Sequence, residues 1–253
     1  EPTEQRFITR HRLNKKTPHA AKSEAVEPIV YYLDPGIPEP VMTALKEGAS
    51  WWNQAYEAAG YKDAFQVKVL PEGADPMDVR YNVINWVHRA TRGWSYGSSV
   101  VDPRTGEIIK GHVTLGSLRV RQDYLIALGL TSPFKEGNTD TTVQQEMALD
   151  RIRQLSAHEV GHTLGIAHNF AASENNRASV MDYPHPKISI KNGKISLEGA
   201  YDKGIGAWDI HAVAYGYQDF ASDVEEAEAL AKIIVKGRNE GLSFKSDPDT
   251  RSS

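Results

Sequence analysis

The 253-residue chain contains no cysteine. Disulfide bonds and thiolate metal sites are therefore excluded. Any zinc ion bound by this chain must be held by histidine, carboxylate or tyrosine side chains.

Long apolar runs and a strong charge of one sign are also missing. No apolar stretch approaches the roughly 18 residues that a membrane-spanning helix needs. A formal net charge of −4 gives no indication of nucleic acid or a membrane surface as a partner. Internal repeats and low-complexity tracts are absent, and the length allows one large domain or two lobes.

The most informative stretch is the histidine motif at residues 158–168, HEVGHTLGIAH. His158 and His162 are four residues apart and share one helix face, so both rings can reach one metal ion. Glu159 stands where a carboxylate can act on water beside that ion. Gly165 can end the helix with a positive φ, and the chain can then bring in His168 as a third ligand. Three protein ligands and an open position are typical of catalytic zinc, whereas structural zinc sites close with four ligands.

A helix with solvated or core histidines is the plainer alternative. By chance, His-Glu-x-x-His is expected in roughly two of a hundred chains of this composition. The longer motif that includes Gly165 and His168 is expected in under about one in ten thousand. The spacing therefore favours a metal site.

A second motif, Ser-Val-Met-Asp-Tyr, follows at residues 179–183. Together the two motifs resemble the metzincin clan of zinc metalloproteases, most of all the bacterial matrix-metalloprotease-like zincins, including the EcxA-like type. The resemblance implies that Met181 forms a methionine turn beneath the metal. It also implies that Tyr183 is an additional, displaceable zinc ligand, as in astacins and serralysins. Asn169 departs from the Ser, Asp, Glu or Pro of better-known families at that position, so the chain is not assigned to them.

The resemblance covers roughly residues 28–217 and implies the fold class. This is an α+β, metzincin-like (zincin) catalytic domain, in which an upper lobe holds a twisted mixed β-sheet and two long helices. A small irregular lower lobe ends in a C-terminal helix, and the substrate cleft runs between the lobes. We predict a polar N-terminal arm or linker at residues 1–26, the catalytic domain at 27–220 with its upper lobe ending at about 165, and a C-terminal helix and polar tail at 221–253 that lead into a missing region.

Hydrophobic periodicity and turn residues predict the individual elements. Strands are expected at residues 28–33, 64–70, 79–87, 96–101 and 107–115, the last two as a hairpin. Helices are expected at residues 38–59, 118–130, 141–164, 207–215 and 224–236, with residues 170–200 mostly in loop.

The predicted function is that of a zinc-dependent endopeptidase acting on a protein or peptide. Glu159 is the expected general base, and zinc and the Tyr183 hydroxyl are expected to stabilise the oxyanion. One catalytic Zn²⁺ is implied; structural Ca²⁺ occurs in this clan, but no carboxylate cluster here has a calcium-loop signature. The clan also implies export from a bacterium, with a signal peptide encoded upstream, because the first residues have neither a basic nor an apolar signal region.

Substrate binding is predicted at the edge strand above the metal, because clan members pair extended substrates with that strand. Our candidates there are Glu107, Ile108, Ile109, Lys110, Gly111, His112 and Val113, and Pro184 is expected to line the pocket beyond the scissile bond. Two alternatives stay open. One is a catalytically silent binding module on a metzincin scaffold, against which the intact Glu159 argues. The other is a narrow-specificity, toxin-like peptidase.

Overall fold

The computed structural model describes residue 4 and residues 6–91, 93–137 and 139–251. Parts of the predicted arm and tail, namely residues 1–3, Gln5 and residues 252–253, lie outside these ranges. Of the described helices, none is both long enough and apolar enough to cross a membrane.

Five strands make up a mixed main sheet, as predicted. The strands of the described chain are β1 (Ser23–Glu24), β2 (Ile29–Leu33), β3 (Tyr61–Lys62), β4 (Phe65–Val69), β5 (Asn82–Val87), β6 (Tyr96–Val101), β7 (Ile108–Gly116), β8 (Ser189–Lys191) and β9 (Lys194–Ser196). The order in the main sheet is β4-β2-β5-β7-β6. Its first four members are mutually parallel, and β6 runs antiparallel to β7 at one edge.

Helices cover the sheet and extend the chain beyond it. They are α1 (Val41–Ser50), α2 (Trp52–Ala58), α3 (Leu118–Thr131), α4 (Thr142–Thr163), α5 (Ala207–Tyr217) and α6 (Glu226–Asn239). Helix α1 packs along α4, and α3 lies on the other flank of α4. The main core lies between these helices and the sheet, and its largest fully buried side chains include Trp52, Tyr31, Tyr56 and Tyr61.

The helix predicted at residues 38–59 is divided into α1 and α2 at Trp51. The Trp51 amide donates to the Gly48 carbonyl at 3.2 Å, and the Gln54 amide donates to the Trp51 carbonyl at 3.0 Å. These three-residue steps are tighter than the α-helical repeat and turn the following side chains onto a new face. After this step, the buried Trp52 ring donates from Nε1 to the Ala157 carbonyl of α4 at 2.8 Å.

Strands β8 and β9 form a hairpin inside the segment that was predicted to be loop. Asn192 and Gly193 connect them, with φ values of 51° and 75°. Asn-Gly is the preferred pair for a two-residue hairpin turn with positive φ at both positions. The sequence therefore contained a signal for this hairpin that the prediction did not use.

The N-terminal residues are joined to the rest of the molecule by backbone pairing and by burial. Strand β1 pairs in parallel with β3, and the Arg10 amide donates to the Gly106 carbonyl at 3.1 Å. His11, Leu13 and Lys15 are buried. The division of the chain into domains at residues 26 and 220 stays a prediction.

Candidate metal centre

Helix α4 ends at the histidine motif and places two rings together. His158 and His162 lie one turn apart, with ring centroids separated by 4.8 Å. After the helix, Gly165 has a φ of +88°, and a Cβ atom there would lie 2.0 Å from the Thr9 carbonyl oxygen. Only glycine fits both the left-handed backbone and this close approach. The turn returns the chain so that the ring centroid of His168 lies 4.6 Å from that of His162.

The three histidines form the group of potential metal ligands. One ligand atom from each of His158, His162 and His168 lies within 4.8 Å of the others. Among the described residues, no fourth histidine, cysteine, aspartate or glutamate joins this group. An imidazole trio without a fourth protein ligand has the donor set of a catalytic zinc site.

Each of the three rings is oriented by a hydrogen bond from Nδ1. His158 Nδ1 donates to the Val180 carbonyl at 2.8 Å, and His162 Nδ1 donates to the Ile166 carbonyl at 3.0 Å. His168 Nδ1 donates to Asp247 Oδ2 at 2.7 Å. In a neutral imidazole whose Nδ1 carries the proton, Nε2 presents a lone pair.

Two of these lone pairs face each other. His162 Nε2 and His168 Nε2 are 3.2 Å apart. Two unprotonated nitrogens at this distance cannot form a hydrogen bond and repel each other unless a cation lies between them. Two imidazoles on one tetrahedral zinc ion, with bonds of about 2.0–2.1 Å, have their ligating atoms ~3.3 Å apart. The residues present therefore fit a zinc ion.

Burial keeps two of the ligands neutral. Desolvation, followed by the charge of the neighbouring His162, lowers the pKa of His158 to about 3. Desolvation is also the largest cause that lowers the pKa of His162, followed by the charge of His168. Metal ions bind the neutral imidazole, so these two rings are ready to bind metal at neutral pH without losing a proton.

Glu159 lies beside the trio with only 6% of its surface exposed. Burial raises the pKa of its carboxyl to about 7, although a hydrogen bond from the Gly97 amide and the charge of Arg151 both lower it. The buried Arg151 lies two helical turns earlier, with its guanidinium 5.7 Å from the Tyr201 ring centroid. A carboxyl group with a pKa near neutrality can both accept and return a proton.

Met181 is fully buried against Gly161 of α4, which makes room for its side chain. A Cβ atom on Gly161 would lie 2.2 Å from the Met181 sulfur and 2.6 Å from the Trp52 ring. The Asn169 amide donates to the Met181 carbonyl at 3.0 Å and so ties this turn to the third histidine.

Asp209 supports the methionine turn, and sequence analysis did not identify it. Its carboxylate accepts from Ser179 Oγ at 2.6 Å, from the Val180 amide at 2.9 Å and from the Gly206 amide at 2.8 Å. Burial nevertheless raises its pKa to about 6. An aspartate at the third position of an otherwise apolar helix is the one signal in the sequence that points to this role.

Tyr183 lies against the rings of the metal centre. Its ring centroid is 5.1 Å from that of His158 and 4.7 Å from that of His168. The side chain is still 56% exposed, and it lines a cleft of about 490 Å³ together with Glu159 and His162. The geometry therefore places a phenol at the open side of the histidine trio.

The strand predicted to pair with substrate does not lie at the sheet edge. Strand β7, which contains most of the candidates from Glu107 to Val113, pairs with β5 on one side and with β6 on the other. Its backbone groups are occupied, so the prediction that it forms the edge was wrong. The error came from strand order, because β6, the hairpin partner that precedes β7 in the chain, lies on the outer side of β7.

The individual candidates in this segment have other surroundings. Lys110 is buried and donates to the carbonyls of Pro76 and Asp78 at 2.9 Å each, and to the carbonyl of Tyr81. The Glu107 carboxylate pairs with Arg12 at 2.6 Å. Of the predicted substrate residues, Ile108 lines the cleft, whereas Pro184 lines a smaller neighbouring cavity.

Comparison with known proteins finds a family match for the C-terminal part of the chain. A family model described as Met-zincin matches residues 140–253, a stretch that begins just before α4 and contains the histidine trio, Met181 and Tyr183. No curated protein and no solved structure matches the chain. The match supports a metzincin-type zincin, and together with the mixed sheet and its helices it confirms the predicted α+β, metzincin-like fold class. The bacterial matrix-metalloprotease-like subgroup stays a prediction.

Proposed function

We propose that this protein is a zinc-dependent endopeptidase in which His158, His162 and His168 hold the metal. The observation that carries the proposal is the 3.2 Å approach of His162 Nε2 to His168 Nε2, on two rings whose Nδ1 atoms already donate to other acceptors. A shared cation turns this repulsive contact into a favourable one. The Met-zincin match over the same residues supports zinc as that cation.

Zinc in this position supplies a Lewis acid that polarises a peptide carbonyl and acidifies water. We assign the proton transfers to Glu159, because its carboxyl lines the cleft and is otherwise shielded from solvent. In its ionised form it accepts a proton from the attacking water. It then passes that proton to the amine that leaves when the peptide bond breaks. No side chain needs to form a covalent bond with the substrate.

Tyr183 is the proposed second catalytic residue. Its ring packs on His158 and His168, and its exposure leaves the side chain free to change position. A phenol hydroxyl at this side of the trio can donate a hydrogen bond to the oxyanion that develops on the substrate carbonyl.

Strand β6 is the proposed substrate-binding edge. Tyr96, Gly97, Ser98, Ser99 and Val101 of this strand line the cleft, and Gly97 also contacts Glu159. An extended peptide can add to an open strand edge through backbone hydrogen bonds, which give affinity without dictating side chains. The side-chain preference of the enzyme would then come from the pockets that flank the metal.

Two other functions remain as competitors to the proposal. A catalytically silent binding module would bind the metal but would not need a carboxyl group with a pKa near neutrality beside it. The raised pKa of Glu159 therefore favours catalysis. A narrow-specificity, toxin-like peptidase would share the chemistry and differ only in substrate range. Export from a bacterium stays a prediction of the clan resemblance.

The test of the function compares Glu159→Gln with a matched variant on the same helix, Glu146→Gln, whose side chain is 57% exposed. Metal analysis should find about one zinc per chain in both variants and in the wild type. Peptide-library cleavage should fall by about 10²- to 10⁴-fold in Glu159→Gln alone. Wild-type protein that folds but takes up no zinc, or Glu159→Gln protein with full activity, would refute the proposal. The library profile also separates a general endopeptidase from one with a single target.

A further inference from the structure

The chain after α6 returns to the metal centre and is held there by Asn169. Asn169 is fully buried directly after the third histidine. Its Nδ2 donates to the Ser243 carbonyl at 2.9 Å, and its Oδ1 accepts from the Lys245 amide at 3.1 Å. The Phe170 amide adds a bond to the Lys245 carbonyl at 2.8 Å. We call residues 242–250 the return segment.

The return segment has its own local structure, which fixes the position of Asp247 after the contacts that Ser243 and Lys245 make with Asn169. Ser246 is buried, and its amide donates to Asp249 Oδ2 at 2.9 Å. The Asp249 amide donates back to the Ser246 carbonyl at 3.0 Å, which closes the short 3₁₀ turn Asp247–Thr250. Asp247 is the first residue of this turn and directly follows the buried Ser246, which is the N-cap residue.

Asp247 lies where it bonds a metal ligand. Its Oδ2 accepts from His168 Nδ1 at 2.7 Å, within the short range of charge-assisted hydrogen bonds. Val180 and Ile166 hold the other two rings through neutral backbone carbonyls. Among the three ligands of the described site, His168 is thus the one that is oriented by a carboxylate.

We propose that Asp247 is a positioning residue for His168 and that Asn169 acts through it by anchoring the return segment. A carboxylate on Nδ1 fixes the tautomer that exposes Nε2 and makes that nitrogen a stronger ligand. The asparagine after the third histidine is explained by the same contacts. Its side-chain amide donates to one carbonyl and accepts from one amide, whereas an ionised aspartate or glutamate lacks the donor and proline lacks both groups. The inference rests on the metal centre proposed above.

The test measures zinc affinity by competition with a chelator, a readout that does not depend on peptide cleavage. Asp247→Asn should weaken zinc binding by about 10- to 100-fold, as is typical when the outer partner of a ligating histidine is lost. Asp223→Asn is the matched control, because Asp223 is exposed and pairs with the exposed His19 at 3.6 Å. Its zinc affinity should equal that of the wild type.

Asn169→Asp provides the second variant, because it keeps the acceptor oxygen and removes the donor to Ser243. It should weaken zinc binding as well. The double variant should bind zinc about as tightly as the weaker of the two single variants, because both substitutions disturb the same contact between Asp247 and His168 and their effects should not add. Thermal unfolding of the zinc-free proteins should be unchanged by Asp247→Asn. Wild-type zinc affinity in Asp247→Asn, or a loss that appears only with an equal loss of zinc-free stability, would overturn the inference. If the wild type binds zinc but cleaves no peptide, the proposed function fails while this inference stands.

Discussion

At the scale of single residues, the partners of the imidazole Nδ1 atoms decide which nitrogen is available to a metal. Two backbone carbonyls and one carboxylate accept from the three rings, so each ring can present Nε2 to the same point. A histidine whose Nδ1 lacked an acceptor could exchange tautomers and lose this orientation. The hydrogen bonds around the trio are therefore as important for metal binding as the ligand spacing in the sequence.

The pH dependence of hydrolysis should report the ionisation of Glu159. Burial raises the pKa of this carboxyl to about 7 in the metal-free protein, and a nearby divalent ion would favour the carboxylate and lower it. Glu159 must be ionised to act as a base, so kcat/KM should fall as the pH decreases through this pKa.

Arg151 is one of the groups that lower the pKa of Glu159. We predict that Arg151→Met moves the acidic limb of the kcat/KM profile to higher pH, whereas Arg151→Lys leaves it closer to that of the wild type. Superposable profiles for all three proteins would show that Arg151 does not influence Glu159.

Gly161 should tolerate no side chain. The Cβ atom of an alanine would overlap the Met181 sulfur and the Trp52 ring, both of which are fully buried. We predict that Gly161→Ala lowers the free energy of unfolding by about 1–3 kcal/mol, the usual cost of an overpacked core. Urea denaturation measures this change. Gly129→Ala in α3 is the control, since its added Cβ would meet no atom within 4 Å apart from its chain neighbours and its own helix backbone, and it should be neutral or stabilising. Equal stability of the Gly161→Ala protein and the wild type would contradict the packing described here.

At the scale of elements, the C-terminal end of α4 is completed by side chains from distant parts of the chain. The last carbonyls of a helix have no partner within it. The Thr163 carbonyl has three polar side-chain atoms within bonding distance: His11 Nε2 at 3.2 Å, the Tyr31 hydroxyl at 3.2 Å and Ser99 Oγ at 3.4 Å. Tyr217 of α5 donates to the Leu164 carbonyl at 2.8 Å. These contacts fix the C-terminal end of α4, after which the chain turns back and brings His168 to the metal centre.

Tyr217 should therefore be important for stability. Its hydroxyl also accepts from the His11 amide at 3.1 Å, so phenylalanine would leave two buried groups without a partner. We predict that Tyr217→Phe lowers the free energy of unfolding by about 1–3 kcal/mol. Tyr215→Phe on the same helix, at a 37% exposed site, should change it by less than about 0.5 kcal/mol. Chemical denaturation of both variants tests the difference, and equal stabilities would remove the proposed role of the Tyr217 hydroxyl.

The sequence predicted those features that depend on local spacing. The four-residue separation of His158 and His162, the glycine at 165 and the strand periodicities are all local, and the corresponding elements lie within a few residues of their predicted positions. The edge strand was misassigned because strand order depends on which strands pair across the sheet. The contact of Asp247 with His168 joins residues 79 positions apart, and no local pattern encodes it. His11 lies in a polar segment whose burial follows only from tertiary packing.

At the scale of the whole molecule, zinc binding should stabilise the fold, because the ligand trio joins the end of α4 to the segment that follows it. Free zinc at 100 times its dissociation constant would add about 2.7 kcal/mol to the free energy of unfolding. For a chain of this length, each kcal/mol raises Tm by about 2–4 °C. We predict that a chelator lowers Tm by roughly 5–10 °C, as measured by scanning calorimetry.

Histidine variants provide the controls for this thermal shift. His162→Ala should abolish the effect of the chelator on Tm, because it removes a ligand. His185→Ala alters an exposed histidine outside the trio and should retain the shift. A shift that persists in His162→Ala would mean that the stabilising ion binds elsewhere.

A residue near each end of the described chain lies at the cleft. Thr9 contributes to its lining, and Asp247 is bonded to His168. The eight residue steps from position 1 to Thr9 span at most about 28 Å when extended. A polyhistidine purification tag fused directly before residue 1 or after residue 253 of an expressed protein would thus have its imidazoles within reach of the ion that the assay is meant to count. Zinc stoichiometry and chelator competition for this protein should accordingly be measured after the tag has been cleaved off.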